Sequence, residues 1–370
     1  HIVTSGPFHL DAWVERDYIR LVKSKSYWNS ELPKLDKITI YSMNDQGANA
    51  NYYYRGHCDA VTSNNIPTSY LPFVNGARRP SGKPFKDYKA APYLGSYFYI
   101  FNTEKLDNVH LRRALSHAID RRPLPKILHG GQIPTHQYVP GTPISQLSAE
   151  DRKLCGVEED DDRVAMIVEA GKLCYVPPAG PRFDLAKAKE ELALAKKQMG
   201  KRFPDKISLK FNSGVEGHKL IAEYIQHEWQ DKLDITIELN VQEWKTYLKA
   251  TKGGEYQVGR MGWIGSYLDP EQNYMKNFKC DNPQNRPRWC SEKFDALFKR
   301  IEATADRRER LRMLAEAEEM MISEAPIMPL YVYTQHHLQK PYVKGLKVNL
   351  ADRVLFQYVT LDAGWKARAE

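Results

Sequence analysis

Arg260-Met261-Gly262-Trp263-Ile264-Gly265-Ser266-Tyr267-Leu268-Asp269-Pro270 is the stretch on which the fold turns. Residues 258–263 read as a strand, and Gly265 through Pro270 carry the glycine, aspartate and proline that end one in a turn. Ahead of it lies Val241-Gln242-Glu243-Trp244-Lys245-Thr246-Tyr247-Leu248. Working outward, strand-like runs recur at 37–42, 96–102, 207–212, 235–241 and 330–333, and helical patterns fall among them. Asp184 followed by Leu185, Ala188, Leu192 and Ala195 predicts a capped amphipathic helix. Over 218–232 one face collects Leu220, Ile221, Tyr224, Ile225 and Trp229, and over 307–323 another collects Leu311, Leu314, Ala315 and Met321. Strands alternating with helices predict a layered α/β fold.

Composition bounds the class. The 370 residues are enough for two cores, since single cores stop growing near ~250–300 residues. No apolar run approaches the ~18 residues of a membrane-crossing helix. A net charge of +8 invites a nucleic-acid reading. The basic residues, however, are spread and paired with acids, as in Arg307-Arg308-Glu309-Arg310, so solvated helix faces account for them and no nucleic-acid partner is expected. The excess would still favour anionic ligands. Enzyme signatures are absent: no G-x-S-x-G, H-E-x-x-H, phosphate loop or G-x-G-x-x-G after a strand. His336-His337, adjacent on a strand, would point to opposite faces and could not chelate one ion together. No cofactor or metal is expected.

Five cysteines divide by context. Cys280 and Cys290 bracket a loop rich in proline and asparagine, and Cys155 and Cys174 bracket an insertion containing the acidic run 158–162. Disulfides there would each contribute about 3 kcal/mol and require an oxidising compartment; unpaired thiols are the other reading. Cys58 reads as a small buried residue.

Six blocks in order carry a resemblance. Val3-Thr4-Ser5-Gly6-Pro7-Phe8-His9-Leu10, with Trp13 and Ser26-Tyr27-Trp28-Asn29, resembles G-P-[FY]-x-L…W…YW; Tyr54 to Val61 resembles an x-G-x-x-D turn. Asn102-Thr103 and Asp107-Asn108-Val109-His110-Leu111-Arg112-Arg113-Ala114-Leu115-Ser116-His117-Ala118-Ile119-Asp120-Arg121 resemble N…V-R-x-A-[LI]-x-x-A-I-D-R. Ser291 to Leu297, Ala325-Pro326-Ile327-Met328-Pro329-Leu330-Tyr331 and the 260–270 stretch complete the set. Together they are similar to the family 5 extracytoplasmic solute-binding proteins, the oligopeptide and dipeptide receptors of ABC importers. The resemblance implies a two-lobed type II periplasmic binding protein fold, with a complete α/β lobe at 96–333 and a partial lobe at 1–95 plus 334–370. The family would place a further N-terminal stretch ahead of Val3, so one lobe is expected to be incomplete here and that remainder to be a partner. Other implied partners are an oligopeptide-like ligand, held where the lobes meet, and an inner-membrane permease. The implied location is periplasmic or extracytoplasmic, with a lipid anchor on the N-terminal remainder.

The resemblance also assigns site residues. The strand ending in Trp263 and Ile264 would lend backbone groups to an extended ligand, Gly262 and Gly265 would keep that backbone approachable, and Trp244 and Trp263 would cover the ligand with apolar surface. Arg260 falls where a cation counters a ligand carboxylate or enters a structural ion pair. His218 would lie near the ligand's far end, or on the surface at a helix start. Family members that hold peptides with a free amino terminus have Asp where this chain has Ser266. Either Asp269 or the remainder supplies that charge, or the ligand lacks a cationic terminus; the last is the expectation. A structural or assembly protein with a disabled cleft is the second reading.

Overall fold

The computed structural model describes residues 3–43, 45–62, 65–347, 349–362 and 364. The chain opens with β1 (Phe8–Val14), β2 (Tyr18–Lys23) and β3 (Lys37–Tyr41), an antiparallel sheet in that order. Helix α1 (Gln46–Tyr54), β4 (Ala60–Val61) and α2 (Leu71–Val74) follow. The long β5 (Tyr88–Phe101) leads to α3 (Val109–His117), α4 (Leu124–Leu128), β6 (Ile133–Pro134) and β7 (Thr142–Pro143). Next come α5 (Ala149–Cys155), β8 (Val164–Val168), β9 (Leu173–Tyr175) and α6 (Leu185–Met199). Two strand-helix pairs come after them: β10 (Lys206–Asn212) with α7 (Glu216–Leu233), and β11 (Thr236–Gln242) with α8 (Trp244–Gly253). Then β12 (Val258–Ile264), α9 (Pro270–Asn273), α10 (Glu292–Ala303), α11 (Arg307–Ser323) and β13 (Ile327–Gln339) lead to the small strands β14 (Val343–Lys344) and β15 (Thr360–Leu361).

Contacts divide the chain into one unit of His1–Ala91 with Gln335–Glu370 and another of Pro92–Thr334. The chain changes unit within β5 and again within β13, which is why both strands run beyond the 96–102 and 330–333 of the sequence reading. Backbone continuity through an extended strand costs nothing locally, so local composition shows no stop at either crossing.

The larger unit is built on β11-β10-β12-β5-β13, with β10 parallel to both β11 and β12 and β12 antiparallel to β5. From Leu94 to Phe101 every residue of β5 is buried, as expected of a strand covered on both faces. Its alternate side chains enter different cores. Tyr97, Tyr99 and Phe101 join Leu111, Leu115, Ile221, Ile225 and Trp229 from α3 and α7; Phe98 and Ile100 join Phe294, Phe298, Leu314 and Met321 from α10 and α11. The helices start where polar caps stand: the Asp184 carboxylate accepts from Lys187 N, and Asp306 from Glu309 N at 2.8 Å.

Both cysteine pairs close as disulfides, Cys155–Cys174 joining α5 to β9 and Cys280–Cys290 closing the irregular loop. Inside that loop Asn285 donates to the Trp289 carbonyl at 2.6 Å, while the Trp289 indole donates to Glu324 at 2.7 Å. Glu318 on α11 is fully buried and accepts from the Tyr138 and Val139 amides at 2.8 and 3.1 Å and from the Tyr175 hydroxyl at 2.6 Å. One carboxylate thereby fastens the disulfide-bearing insertion to the helix behind it. Burial raises its pKa from 4.5 to about 7, against the three donors that favour the charged form.

The smaller unit has its own core of Tyr53, Val61, Ile66, Leu71, Val74 and Leu338. His336 and His337 take different partners, Tyr88 at 2.7 Å and Gln335 at 3.0 Å. Cys58 is half-buried and free, not buried as the sequence reading has it, because it packs at the margin of this core and lines a cavity there.

Candidate ligand site

Two strands part company at the site. β12 pairs with β5 along its whole length, from Val258 opposite Phe101 to Ile264 opposite Gly95. Toward β10 it pairs only through Leu209–Val258 and Lys210–Gly259, while β10 stays with β11 as far as Asn212 opposite Gln242. Residues 260–264 therefore present one edge with no strand partner among the described residues, a row of alternating backbone donors and acceptors. Side-chain atoms flanking this opening are also unpaired: the Asn212 Oδ1, Gln242 Oε1, Arg260 Nε and Trp263 Nε1 are buried without a hydrogen-bond partner. Buried polar groups are nearly always satisfied, and leaving one unmet costs about 1–3 kcal/mol; the Arg260 side chain lies on the Tyr97 side of the sheet and Trp263 against the second core, so these atoms border the strand end from different sides.

Arg260 is the centre of charge. Its side chain is 9% exposed and forms no ion pair among the described residues. It donates to the Tyr333 hydroxyl at 2.7 Å and lies 4.8 Å from the Tyr97 ring centroid. Tyr97 in turn stacks on Tyr331 at 4.7 Å, and Tyr247 donates its hydroxyl to the Arg260 carbonyl. A guanidinium held by phenol rings and hydroxyls has its face and one edge occupied while its charge stays uncancelled. Among the described residues Arg260 therefore enters no structural ion pair, the reading left open by the sequence.

The other assigned residues fall as follows. Glu243 caps α8 by accepting from the Lys245 and Thr246 amides at 2.8 and 3.3 Å, which makes Trp244 the first helical residue, 46% exposed and stacked on Tyr247. Trp263 is half-buried against the second core. Ile264 and Ser266 are exposed. His218 is buried, 3.3 Å from the Tyr97 hydroxyl, so its surface reading is corrected: α7 docks its first turn onto the sheet. Burial, then the Arg260 charge, lowers the His218 pKa well below 6.5 and keeps it neutral. Gly262 has a role the sequence did not suggest. A Cβ there would come within 2.5 Å of the Tyr333 hydroxyl, so glycine makes room for the phenol that holds Arg260. At Gly265 a Cβ would come within 2.4 Å of the Tyr274 hydroxyl.

Asp269 is already engaged. It accepts from Glu271 N at 2.8 Å and pairs with Arg310 at 3.0 Å, and Arg310 also pairs with Glu271. It serves as a turn-and-helix anchor. Sequence reasoning passed over Tyr97, Tyr247, Tyr331, Tyr333, Asn212 and Gln242. The available signal was Tyr97/Tyr99 beside Tyr331/Tyr333, tyrosines at alternate positions of two strands and so on one face of each.

Residues 260–264 thus combine a strand edge without a strand partner among the described residues, an arginine held by phenols and, close by in sequence, the exposed Trp244. The chain belongs to the bacterial extracellular solute-binding proteins, family 5, whose middle region matches residues 1–285. The oligopeptide-binding protein OppA of Bacillus subtilis is 30% identical over 361 residues, which are 96% of this chain and 60% of that protein. The dipeptide-binding protein DppE of the same organism is 29% identical, over 93% of this chain and 58% of its own length. Among solved structures, the periplasmic oligopeptide-binding protein OppAIV of Borrelia burgdorferi superposes with a TM-score of 0.74 at 26% identity, covering 97% of this chain and 65% of that one. The chain thus spans about 60% of the length of the relatives it matches. Members of this family are binding proteins, and among the described residues no helix is long and apolar enough to cross a membrane and no cluster of three metal-ligating side chains occurs.

Proposed function

We propose that the chain is the ligand-gripping part of a solute receptor that captures an oligopeptide-like molecule outside the cytoplasm and passes it to an inner-membrane ABC permease. The open edge of β12 carries this reading: residues 260–264 offer main-chain hydrogen bonds to an extended ligand, as when a peptide is added to a sheet edge. The unit of Pro92–Thr334 acts as the gripping lobe, and the unit of His1–Ala91 with Gln335–Glu370 belongs to the second lobe. Trp244 and Trp263 supply apolar cover, and the Trp263 Nε1 and Arg260 Nε donate to ligand oxygens.

The charge balance refines the ligand class. Ser266 is neutral, and Asp269 is held by Arg310, so neither of these two positions poises an acid for a ligand ammonium, while Arg260 stands ready for a carboxylate. The ligand that suits the site is a peptide or peptide-like chain with an anionic group and a neutral or blocked amino end. Disulfides at Cys155–Cys174 and Cys280–Cys290 accord with an extracytoplasmic location, where the receptor would be tethered by a lipid on its N-terminal remainder. Native mass spectrometry of the protein purified without denaturation tests the class: a co-purifying peptide-like anion supports it, and only free-amino cationic peptides would contradict it.

A further inference from the structure

A cavity of about 300 Å³ lies within the larger unit, between α3, α6, the segment 179–181 and the end of α11. Ala325 is on its wall, and the neighbouring Pro326 carbonyl accepts from Phe101 N at 2.9 Å, so the cavity sits at the Phe101 end of β5. Gly95, opposite Ile264 at the open edge of β12, is roughly 20 Å away along the extended strand. Charges of both signs face the cavity: Arg113 and Lys187 supply cations, Glu191 and Glu319 carboxylates. Lys187 and Glu319 are exposed and enter no ion pair among the described residues. Arg113 donates through Nε to the Ser323 carbonyl at 2.7 Å, and its Nη1 stands 4.0 Å from Glu191 Oε1, which leaves guanidinium N–H groups for a ligand. Glu191, 9% exposed, engages one oxygen with His110 Nδ1 at 2.6 Å. His117, 8% exposed, donates through Nδ1 to the Arg182 carbonyl at 2.8 Å. A carbonyl only accepts, so the proton of this imidazole is on Nδ1 and Nε2 is left as an acceptor. Burial lowers the His117 pKa below 6.5, so the ring is neutral at pH 7 and the acceptor persists.

Opposite signs in one cavity select a ligand that carries both. A lone anion would meet Glu191 and Glu319, a lone cation would meet Arg113 and Lys187, and the acids and imidazole form no metal-ligating cluster among the described residues. The volume is at the lower end of small-ligand pockets, which run from roughly 300 to 1,000 Å³, so it admits a single residue and not an extended peptide. We propose that the cavity binds a free α-amino acid, with its carboxylate between Arg113 and Lys187 and its ammonium shared among His117 Nε2, Glu191 and Glu319. The inference is independent of the ligand reading at β12.

Calorimetry of the 370-residue chain with each of the common L-amino acids in turn provides the first readout, and at least one should bind. That amino acid is then compared with its N-acetyl and carboxamide forms, each of which should bind about tenfold or more weakly. Lys187→Met should weaken the free amino acid by a similar factor and leave its carboxamide unchanged; Glu319→Gln should do the same with the N-acetyl form as the unaffected ligand. Both positions are exposed, so both variants should keep the wild-type unfolding midpoint. Nitrogen NMR of the histidine rings needs no substitution: binding should move the His117 Nε2 signal and leave that of His218, which lies against Tyr97 at the β12 site. The proposal is overturned if no amino acid binds, if the blocked forms bind as tightly as the free one, or if Lys187→Met and Glu319→Gln leave the affinity unchanged. It is equally overturned if the His218 signal moves in place of that of His117, which would put the amino acid in the β12 site.

Discussion

Replacing Arg260 by methionine separates the demands of folding from those of binding. The guanidinium is 9% exposed, with no carboxylate partner among the described residues, so the folded protein bears its desolvation without an ion pair to offset it. What Arg260→Met removes is one hydrogen bond to the Tyr333 hydroxyl and the contact over the Tyr97 ring, about 1 kcal/mol each. It also removes the cost of burying a cation and leaves an apolar side chain of similar length among four tyrosines. The two sides nearly cancel, so stability should change by no more than about 1 kcal/mol. A ligand carboxylate, by contrast, loses a charge-assisted hydrogen bond worth about 1.5–3 kcal/mol, a tenfold to hundredfold weakening. Calorimetry with a bound peptide and its carboxyl-terminal amide, alongside denaturant unfolding, reads both quantities. The substitution should erase the preference for the free carboxylate and leave the unfolding midpoint almost unmoved. Loss of about 3 kcal/mol of stability, with both peptides weakened equally, would show that Arg260 is a structural cation and refute the reasoning.

Other outcomes follow from the same geometry. Ser266→Asp should improve binding of peptides with a free amino terminus over their acetylated forms by about tenfold or more, measured by calorimetry; an unchanged ratio removes Ser266 from the terminus-reading role. Glu318, with its pKa raised from 4.5 to about 7 by burial, binds its proton more tightly folded than unfolded. Its contribution is therefore fully present below pH ~4.5 and is lost as pH rises through ~7, at most about 3 kcal/mol. Wild type and Glu318→Gln compared by chemical denaturation at pH 5 and pH 8 isolate this from the buried histidines, and the variant should lack that slope. Mutating Cys280 and Cys290 together to serine should cost about 3 kcal/mol, read by thermal unfolding, with the loop 280–290 becoming protease-sensitive. Gly262→Ala should displace the Tyr333 hydroxyl, 2.5 Å from the new methyl, and weaken carboxylate ligands with little effect on amidated ones.

Much of this was legible in the chain itself. The helices around Asp184, 218–232 and 307–323 were readable because a cap and a 3.6-residue apolar period are local facts, and α11 begins and ends at the expected residues. β12 and the turn after it were likewise local, as were the two cysteine pairs, each bracketing a segment that stands out in composition: a proline- and asparagine-rich loop for Cys280–Cys290 and an insertion with an acidic run for Cys155–Cys174. Family membership came from six blocks in order, each a local pattern.

Tertiary structure alone decided what the site residues face. That Arg260 meets phenols and not an acid depends on β5 and β13 bringing Tyr97, Tyr331 and Tyr333 to one place from segments more than 200 residues apart in the chain. That Asp269 is occupied depends on Arg310 arriving from α11, and that His218 is buried depends on where α7 docks. Above all, the open edge of β12 exists only because β10 follows β11 beyond Lys210 and leaves β12 behind. Periodicity and capping act over a few residues, so a sequence states them directly. The sign of a neighbouring charge and the pairing of a strand edge are set by segments distant in the chain, and no local pattern encodes which of them will meet.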